Sequence, residues 1–408
     1  MLALALALAG CGSAGVAAAP AGNHIHGNRL TVYVGTPLTG ASAVSGAAVV
    51  NGATLALDQI HARIGRYRIA LRTLDDVPPG GLEWSPAAAT LAAQTAAADP
   101  TTIAYIGDFN SGASAVSIPI LNRLAIAQVS PYSGAVGLTS NGLGSSPGEP
   151  QAYYPTSLRT FARVVPSDYV QAQAQVALQQ QLGCKATYVL SDDEYDGEAA
   201  SEAFVQVAKQ RNLQVVATQS YVTSASSYMS IGQTIAGSGA DCVLIAAITG
   251  SNAVKLVTQV AAENPSLRLF ATSGLAESSF TDPARGGVPR SLDPRLLITA
   301  PTGGAGTGNR LTRTFRAEYQ RSYGTPEPAA IDGYEAMRVV LAAITRATAH
   351  GHRDAERVRV VQALFATGEH ASPLGRYRIT RDGDTSLDRY DIYRVVEGAR
   401  QYWKTVKG

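Results

Sequence analysis

Apolar positions along the chain switch repeatedly between a short continuous run and a helical spacing. Residues 30–35 form an apolar strand, and residues 36–42 supply a turn of small and polar side chains. From 43 to 64 the spacing becomes helical, with Val49, Ala53, Ala56, Leu57 and Ile60 on one face. Residues 67–74 predict a second strand. Ser85-Pro86 marks a helix start, because a serine oxygen accepts an unpaired first-turn N–H and proline removes a donor that has no partner there. Residues 87–98 continue that helix. A third strand at 103–107, a helix-like run to Leu124 and a fourth strand at 126–129 complete the first series.

Residues 139–151, rich in Gly, Ser and Pro, interrupt the rhythm, and 161–166 reads as a crossing into a second unit. There the alternation restarts, with helices at about 169–181, 198–210, 228–236 and around Leu256, and strands at 187–190, 213–218, 242–248 and 269–271. Residues 296–300 lead back toward the first unit. Helices are predicted at 310–323, 329–347 and 353–367, and strands at 377–380 and 390–396 flank a turn at Arg381-Asp382-Gly383-Asp384. Such alternation predicts an α/β fold of two doubly wound, Rossmann-like lobes with right-handed crossovers. Functional loops are expected at the C-terminal ends of the strands. The 408 residues, 46% of them hydrophobic, suffice for two cores.

Charge narrows the function. The 33 basic and 31 acidic side chains give no broad positive field for a polyanion, and Arg29, Arg63, Arg159, Arg290 and Arg378 are scattered, so no nucleic-acid partner is expected. Residues 1–9 are almost wholly apolar yet too short to span a bilayer. They read as an export segment, and Leu8-Ala9-Gly10-Cys11 resembles a bacterial lipobox in which Cys11 receives the lipid. The small residues that follow, to position 28, read as a tether. His24 and His26 do not complete a ligand set, so neither metal nor cofactor is expected. Cys184 and Cys242 each precede an apolar strand-like run. A disulfide between them and a pair of buried thiols both stay open.

Five short segments, in order, carry a resemblance: Val34-Gly35-Thr36-Pro37-Leu38-Thr39-Gly40, Asp75-Asp76, Ile106-Gly107 with its serine-bearing loop, Ser130-Pro131, and Tyr195-Asp196-Gly197. Over most of residues 30–396 the chain resembles the leucine, isoleucine and valine-binding family of periplasmic solute receptors that serve ABC importers. The resemblance implies a type I periplasmic binding protein, with lobe one at 30–159 and 301–369 and lobe two at 160–300 and 370–408. It also implies closure around a small polar solute and delivery to a permease. The expected protein is a monomer, exported to the periplasm or lipid-anchored to the outer face of the cytoplasmic membrane.

The same resemblance places Ser111 and Ser114 in the loop that contacts an amino-acid carboxylate, where helix capping is the competing role. Ser133 and Gly134 match the loop after the fourth strand, with a simple turn as the alternative. Tyr195 matches the tyrosine that faces the ligand from the other lobe, with core packing as the alternative. One of Asp192, Asp193, Glu194, Asp196 and Glu198 is a candidate for an ammonium group. The family's acid near Gly274 is absent, and Glu277 is the candidate replacement. An amino acid, amide, urea-like compound or organic acid therefore all remain open as solute. Trp84 reads either as part of the cleft mouth or as packing, and Tyr334 as core. There is no G-x-G-x-x-G fingerprint after the first strand, no P-loop lysine motif and no recognisable nucleophile elbow, which disfavours an enzyme. A ligand sensor controlling a signalling partner is the main alternative to uptake, and a hydrolase the lesser one.

Overall fold

The computed structural model describes residues 23–301 and 308–408, so the export segment and Cys11 lie outside the described residues. The first series comprises β1 (Arg29–Thr36), α1 (Ala43–Asp58), β2 (Tyr67–Asp75), α2 (Pro86–Ala98), β3 (Thr102–Ile106), α3 (Ser111–Asn122), β4 (Ala127–Ser130) and β5 (Phe161–Arg163). The sheet runs β2-β1-β3-β4-β5, all parallel, with Arg63–Ile64 antiparallel at its edge. Strand β1 is buried from Leu30 to Thr36, as a central parallel strand covered on both faces must be. Because β1 lies between β2 and β3, the winding reverses there and leaves a crevice beyond the C-terminal ends of β1 and β3.

The second lobe repeats the plan. It contains α4 (Asp168–Gln181), β6 (Ala186–Ser191), α5 (Tyr195–Gln210), β7 (Gln214–Ser220), α6 (Met229–Ser238), β8 (Cys242–Ala246), α7 (Val254–Glu263), β9 (Arg268–Ala271) and β10 (Leu296–Pro301). Its parallel order is β7-β6-β8-β9-β10, so a matching crevice opens between β6 and β8. The chain then returns through α8 (Arg310–Tyr323), α9 (Ala329–Ala347) and α10 (Arg357–Phe365), whose Phe315, Val340 and Val361 join the first core. Helices α1 and α9 meet backbone to backbone. A Cβ at Gly52 would fall 2.0 Å from the Ala330 carbonyl oxygen, and one at Gly333 would fall 2.3 Å from that of Val49. Antiparallel β11 (Arg389–Val396) and β12 (Ala399–Lys407) finish the second sheet.

Three sequence expectations shift. Strand β5 pairs with β4, so the first crossing follows Val164 rather than beginning at Thr160. The hairpin of His370–Ser372 and Gly375–Tyr377 precedes Ile379, and Leu374, Tyr377 and Ile379 are all buried in the first core. The expected change of lobe at 370 therefore moves beyond Ile379. Residues 24 and 25, read as tether, pair antiparallel with Ala355–Glu356, and the Asn23 side chain accepts the Val358 N–H at 2.9 Å.

The first and last crossings are pinned together by Arg163, which is fully buried. Its guanidinium donates to Asp384 (2.7 Å), to the Thr139 hydroxyl (2.6 Å) and to the carbonyls of Ser133 (3.2 Å) and Ala135 (2.8 Å). The Arg163 N–H donates to the Gly383 carbonyl. Gly383 has φ +97°, and a Cβ there would lie 2.2 Å from the Phe161 carbonyl oxygen, so only glycine fits that approach.

Cys184 and Cys242 are joined in a disulfide, with Cα atoms 5.9 Å apart and a sequence separation of 58. On the chain-entropy account a loop of that length stabilises the second lobe by about 4 kcal/mol. Reduction is expected to lower the thermal midpoint by about 10 °C, as read by circular dichroism with and without reductant. An unchanged midpoint would contradict a structural role for the bond.

Candidate binding cleft

The two crevices face each other, and each is built around a buried aspartate. Asp108, just past β3, accepts hydrogen bonds from the Tyr105 hydroxyl (2.7 Å) and from the Ser117 hydroxyl. Its carbonyl accepts the hydroxyls of Ser130 (2.7 Å) and Ser133 (3.0 Å), which ties the loops after β3 and β4 together. Burial pushes the Asp108 carboxyl up to about 6. In the other lobe Asp192 accepts the Ile248 N–H and the Ser251 hydroxyl, each at 2.8 Å, and so joins the loops after β6 and β8. Desolvation holds its pKa well above the ordinary value.

Between the crevices the lobes are shut on a cavity of about 30 Å³, lined among others by Phe109, Ser111, Tyr132, Asp168, Gln171 and Asp196. That is room for no more than a few waters, so a solute fits only when the lobes separate. Phe109 and Tyr132 stack with ring centroids 4.5 Å apart and planes 4° from parallel, forming an aromatic wall on lobe one. The Tyr132 hydroxyl reaches the Ser273 carbonyl of lobe two at 3.4 Å.

The first turn of α3 leaves backbone donors facing the cleft. Asp196, in the first turn of α5, crosses from lobe two and takes them: its oxygens accept the N–H of Ser111 at 2.7 Å and of Gly112 at 3.2 Å. A second carboxylate makes a similar crossing, since Glu277 accepts the hydroxyl of Ser42, the residue preceding α1, at 2.9 Å. Both charges lie at the positive end of a lobe-one helix. Further out, the Tyr195 hydroxyl donates to Glu149 at 2.6 Å, and Tyr153 donates to the same oxygen at 2.5 Å. Trp84 packs with Ala113 and with Ile248 of the other lobe, and its ring fills the space over Gly112, where a Cβ would approach it to 2.3 Å.

The serines expected in the site divide by depth. The Ser111 hydroxyl accepts the N–H groups of Gly134 (3.1 Å) and Ala135 (3.2 Å), so its oxygen braces the loop after β4 while its own N–H faces the cleft. Ser114 and Ser133 are fully buried with hydroxyls 2.9 Å apart, and Ser114 also accepts the Asp108 N–H. They support the cleft floor from below. Gly134 lines the cavity, and a Cβ there would strike Asp168 at 2.3 Å. Tyr195 stands at the rim rather than in the cavity, and Glu277 is buried against lobe one. Tyr334 donates to Gln59 at 2.7 Å and lies in the first core.

Sequence reasoning did not single out Asp168, Gln171, Phe109 or Tyr132, and it left Asp196 as one of five acids. Asp168 accepts from Gln171 at 2.9 Å, and burial raises its pKa to about 7. An acid in the first turn of α5, directly after the Tyr195 that faces the other lobe, was the available signal for Asp196.

The sequence profile of the periplasmic binding protein family matches residues 31–400. No curated protein sequence matches the chain. Among solved structures, a leucine-binding protein from Thermotoga maritima superposes with a TM-score of 0.79 at 19% identity, covering 93% of this chain and 99% of that one. A branched-chain amino-acid transporter substrate-binding protein from Streptococcus pneumoniae, in complex with isoleucine, gives 0.75 at 16% identity, covering 93% and 100%. A solute-binding protein of an ABC transporter from R. palustris, in complex with benzoate, gives 0.75 at 18% identity, covering 93% and 96%.

The mouth of the cleft is acidic from both sides. Burial first, then the charges of Asp193 and Asp196, lift Glu83 of lobe one to about 7. Burial, then Glu83, Asp196, Asp193 and Glu198, lift Glu194 of lobe two to about 7. Opening hydrates both groups and returns them toward an ordinary carboxylate range near 4.3. The closed state therefore holds more protons, and its stability falls as pH rises from about 4 to about 7. The radius of gyration by X-ray scattering is expected to shrink on going from pH 8 to pH 5, and this response should be much reduced in the double variant Glu83→Gln/Glu194→Gln. An equal response in the double variant would rule out this pair as its source.

Proposed function

We propose that this chain, which belongs to the periplasmic binding protein family, is the solute-capturing component of an ABC importer and works by closing two lobes on its solute. The single observation that carries this is the small cavity between two facing switch-point crevices, with the start of α3 and an aromatic wall on the lobe-one side. The chemistry required is reversible recognition, and the donors, acceptors and aromatic faces described above suffice for it.

In this reading the Gly134 backbone and the stacked Phe109 and Tyr132 meet the solute from lobe one. Tyr195 acts as a rim latch through Glu149 rather than as a ligand contact. Glu277 stabilises the closed form by its bond to Ser42. Export and lipid attachment at Cys11 belong to the same reading. They are supported by the leader Leu8-Ala9-Gly10-Cys11 and by the Cys184–Cys242 disulfide, which persists in an oxidising compartment. An importer partner is supported by the neighbouring structures from Streptococcus pneumoniae and R. palustris, which are transporter components.

A metabolite screen by thermal shift, followed by calorimetry and scattering on each hit, tests the function. One-to-one binding with a contracted radius of gyration is the expected result. Binding without contraction, or a ligand located outside the cleft in a crystal, would overturn it. For such a hit, Tyr195→Phe removes one hydrogen bond made only on closure and is expected to weaken affinity about fivefold, corresponding to about 1 kcal/mol. Unchanged affinity would remove the latch role.

A further inference from the structure

A second pocket between the lobes lies apart from the cleft, and its chemistry is cationic. Its volume is about 720 Å³, room enough for a small metabolite, and it shares no lining residue with the cleft cavity. Lobe one contributes Arg316 of α8 and Glu327 just ahead of α9. Lobe two contributes Arg285 and Arg290, ahead of β10, with Tyr393 of β11 and Arg400 of β12. Four arginines thus face three acids, Asp282, Glu327 and Glu397. Arg400 is the built part of the site. Its side chain is only 8% exposed, and its Nη2 pairs with Glu327 of the opposite lobe, which sets the guanidinium head against the pocket wall. Its buried Nη1 has no hydrogen-bond partner. A buried donor on a charged group calls for an acceptor, and the chain supplies none at that atom. The other arginines are less engaged. Arg285 reaches Asp282 at 3.7 Å and the Ser278 hydroxyl at 3.3 Å, whereas Arg290 and Arg316 are exposed and have neither an ion pair nor a side-chain hydrogen bond among the described residues. Burial and Asp391 raise the Tyr393 pKa, and the charges of Arg400 and Arg316, one from each lobe, both oppose that rise. The two cations therefore converge on one side chain.

We propose that this pocket is a second binding site, taking a small molecule by its oxyanion, a carboxylate or phosphoryl group, held between Arg316 of lobe one and Arg400 of lobe two. The planar donor fork of arginine matches either group. Nη1 of Arg400 gains its acceptor there, and Arg316 gains an opposite charge. Glu327 competes with the ligand for the Arg400 guanidinium and so limits the affinity. The site goes beyond the solute cleft and does not depend on what the cleft captures.

The test titrates citrate and pyrophosphate calorimetrically into the purified protein, with ionic strength held constant by sodium chloride. At least one is expected to bind at millimolar concentration or below, and the tighter of the two tells carboxylate from phosphoryl. Arg316→Gln and Arg400→Gln should each weaken it at least tenfold. Glu327→Gln removes the competing carboxylate and should strengthen it at least threefold, a gain that loss of a merely structural ion pair would not produce. Arg316 is exposed, so its variant folds even where Arg400→Gln does not, and then decides the matter alone. Lack of binding of both anions to the wild-type protein would overturn the proposal. So would an affinity unchanged in Arg316→Gln, or a Glu327→Gln variant that gains nothing. Each of these results leaves lobe closure untouched, because closure is read by scattering with a cleft ligand.

Discussion

Helix starts that point into a cleft need negative charge, and in this protein the opposite lobe provides it. The first turn of α3 is met by Asp196 and the start of α1 by Glu277, both carried by lobe two. Orphan N–H groups and the helix dipole make these positions favourable for an anion. Desolvation works against them, and it is the leading influence on the pKa of both acids. The closed form is therefore a balance of two opposing electrostatic effects at the same atoms. Its position depends on what occupies the gap, and this allows a binding event to shift it.

That balance also accounts for the separation of rigid and responsive parts. Within each lobe one buried acid at the crevice is answered locally: Asp192 by Ile248 N–H and Ser251, Asp108 by Tyr105 and Ser117. These bonds persist whether the lobes are near or apart, because both partners belong to one lobe. The polar contacts made across the gap include Asp196 on α3, Glu277 on Ser42, Tyr195 on Glu149, Tyr132 on Ser273 and Arg400 on Glu327. Apolar contacts across the gap join Trp84 with Ile248, and Ala199 of α5 with the cluster of Ile118 and Leu138. An interface of this kind favours reversible docking over permanent association.

How much of this was legible in the chain depends on whether a feature is local. Helices α8 and α9 match their predicted spans because the apolar stripe and the residues ahead of them, Asn309 as a side-chain cap and Pro328, fix the ends locally. The two doubly wound sheets followed from the alternation itself. Strand β5 was read as a crossing because it has only three residues with a charged Arg163 last, and its burial depends on partners at 133–139 and 384. Strand β12 is largely half-exposed and carries no apolar run, so its place at the sheet edge is set by β11 rather than by its own composition. In the cleft, Ser111 was legible as a helix start. Ser114 and Ser133 share its residue type and neighbourhood, but only the packing of α3 on the loop after β4 turns their hydroxyls below the floor. Asp196 could not be separated from its acidic neighbours without knowing which of them α5 aims across the gap.

The Arg163 anchorage has a mechanical corollary. A guanidinium gripped by carbonyls of one loop and by a carboxylate of the returning chain behaves as a pivot pin, since any sliding of the two strands past each other would break several bonds at once. Motion about such a pin is angular. Points near it travel least, and the arc grows with distance from the pin. Such a swing parts the lobes while the floor keeps its shape, ready-made for the next arrival.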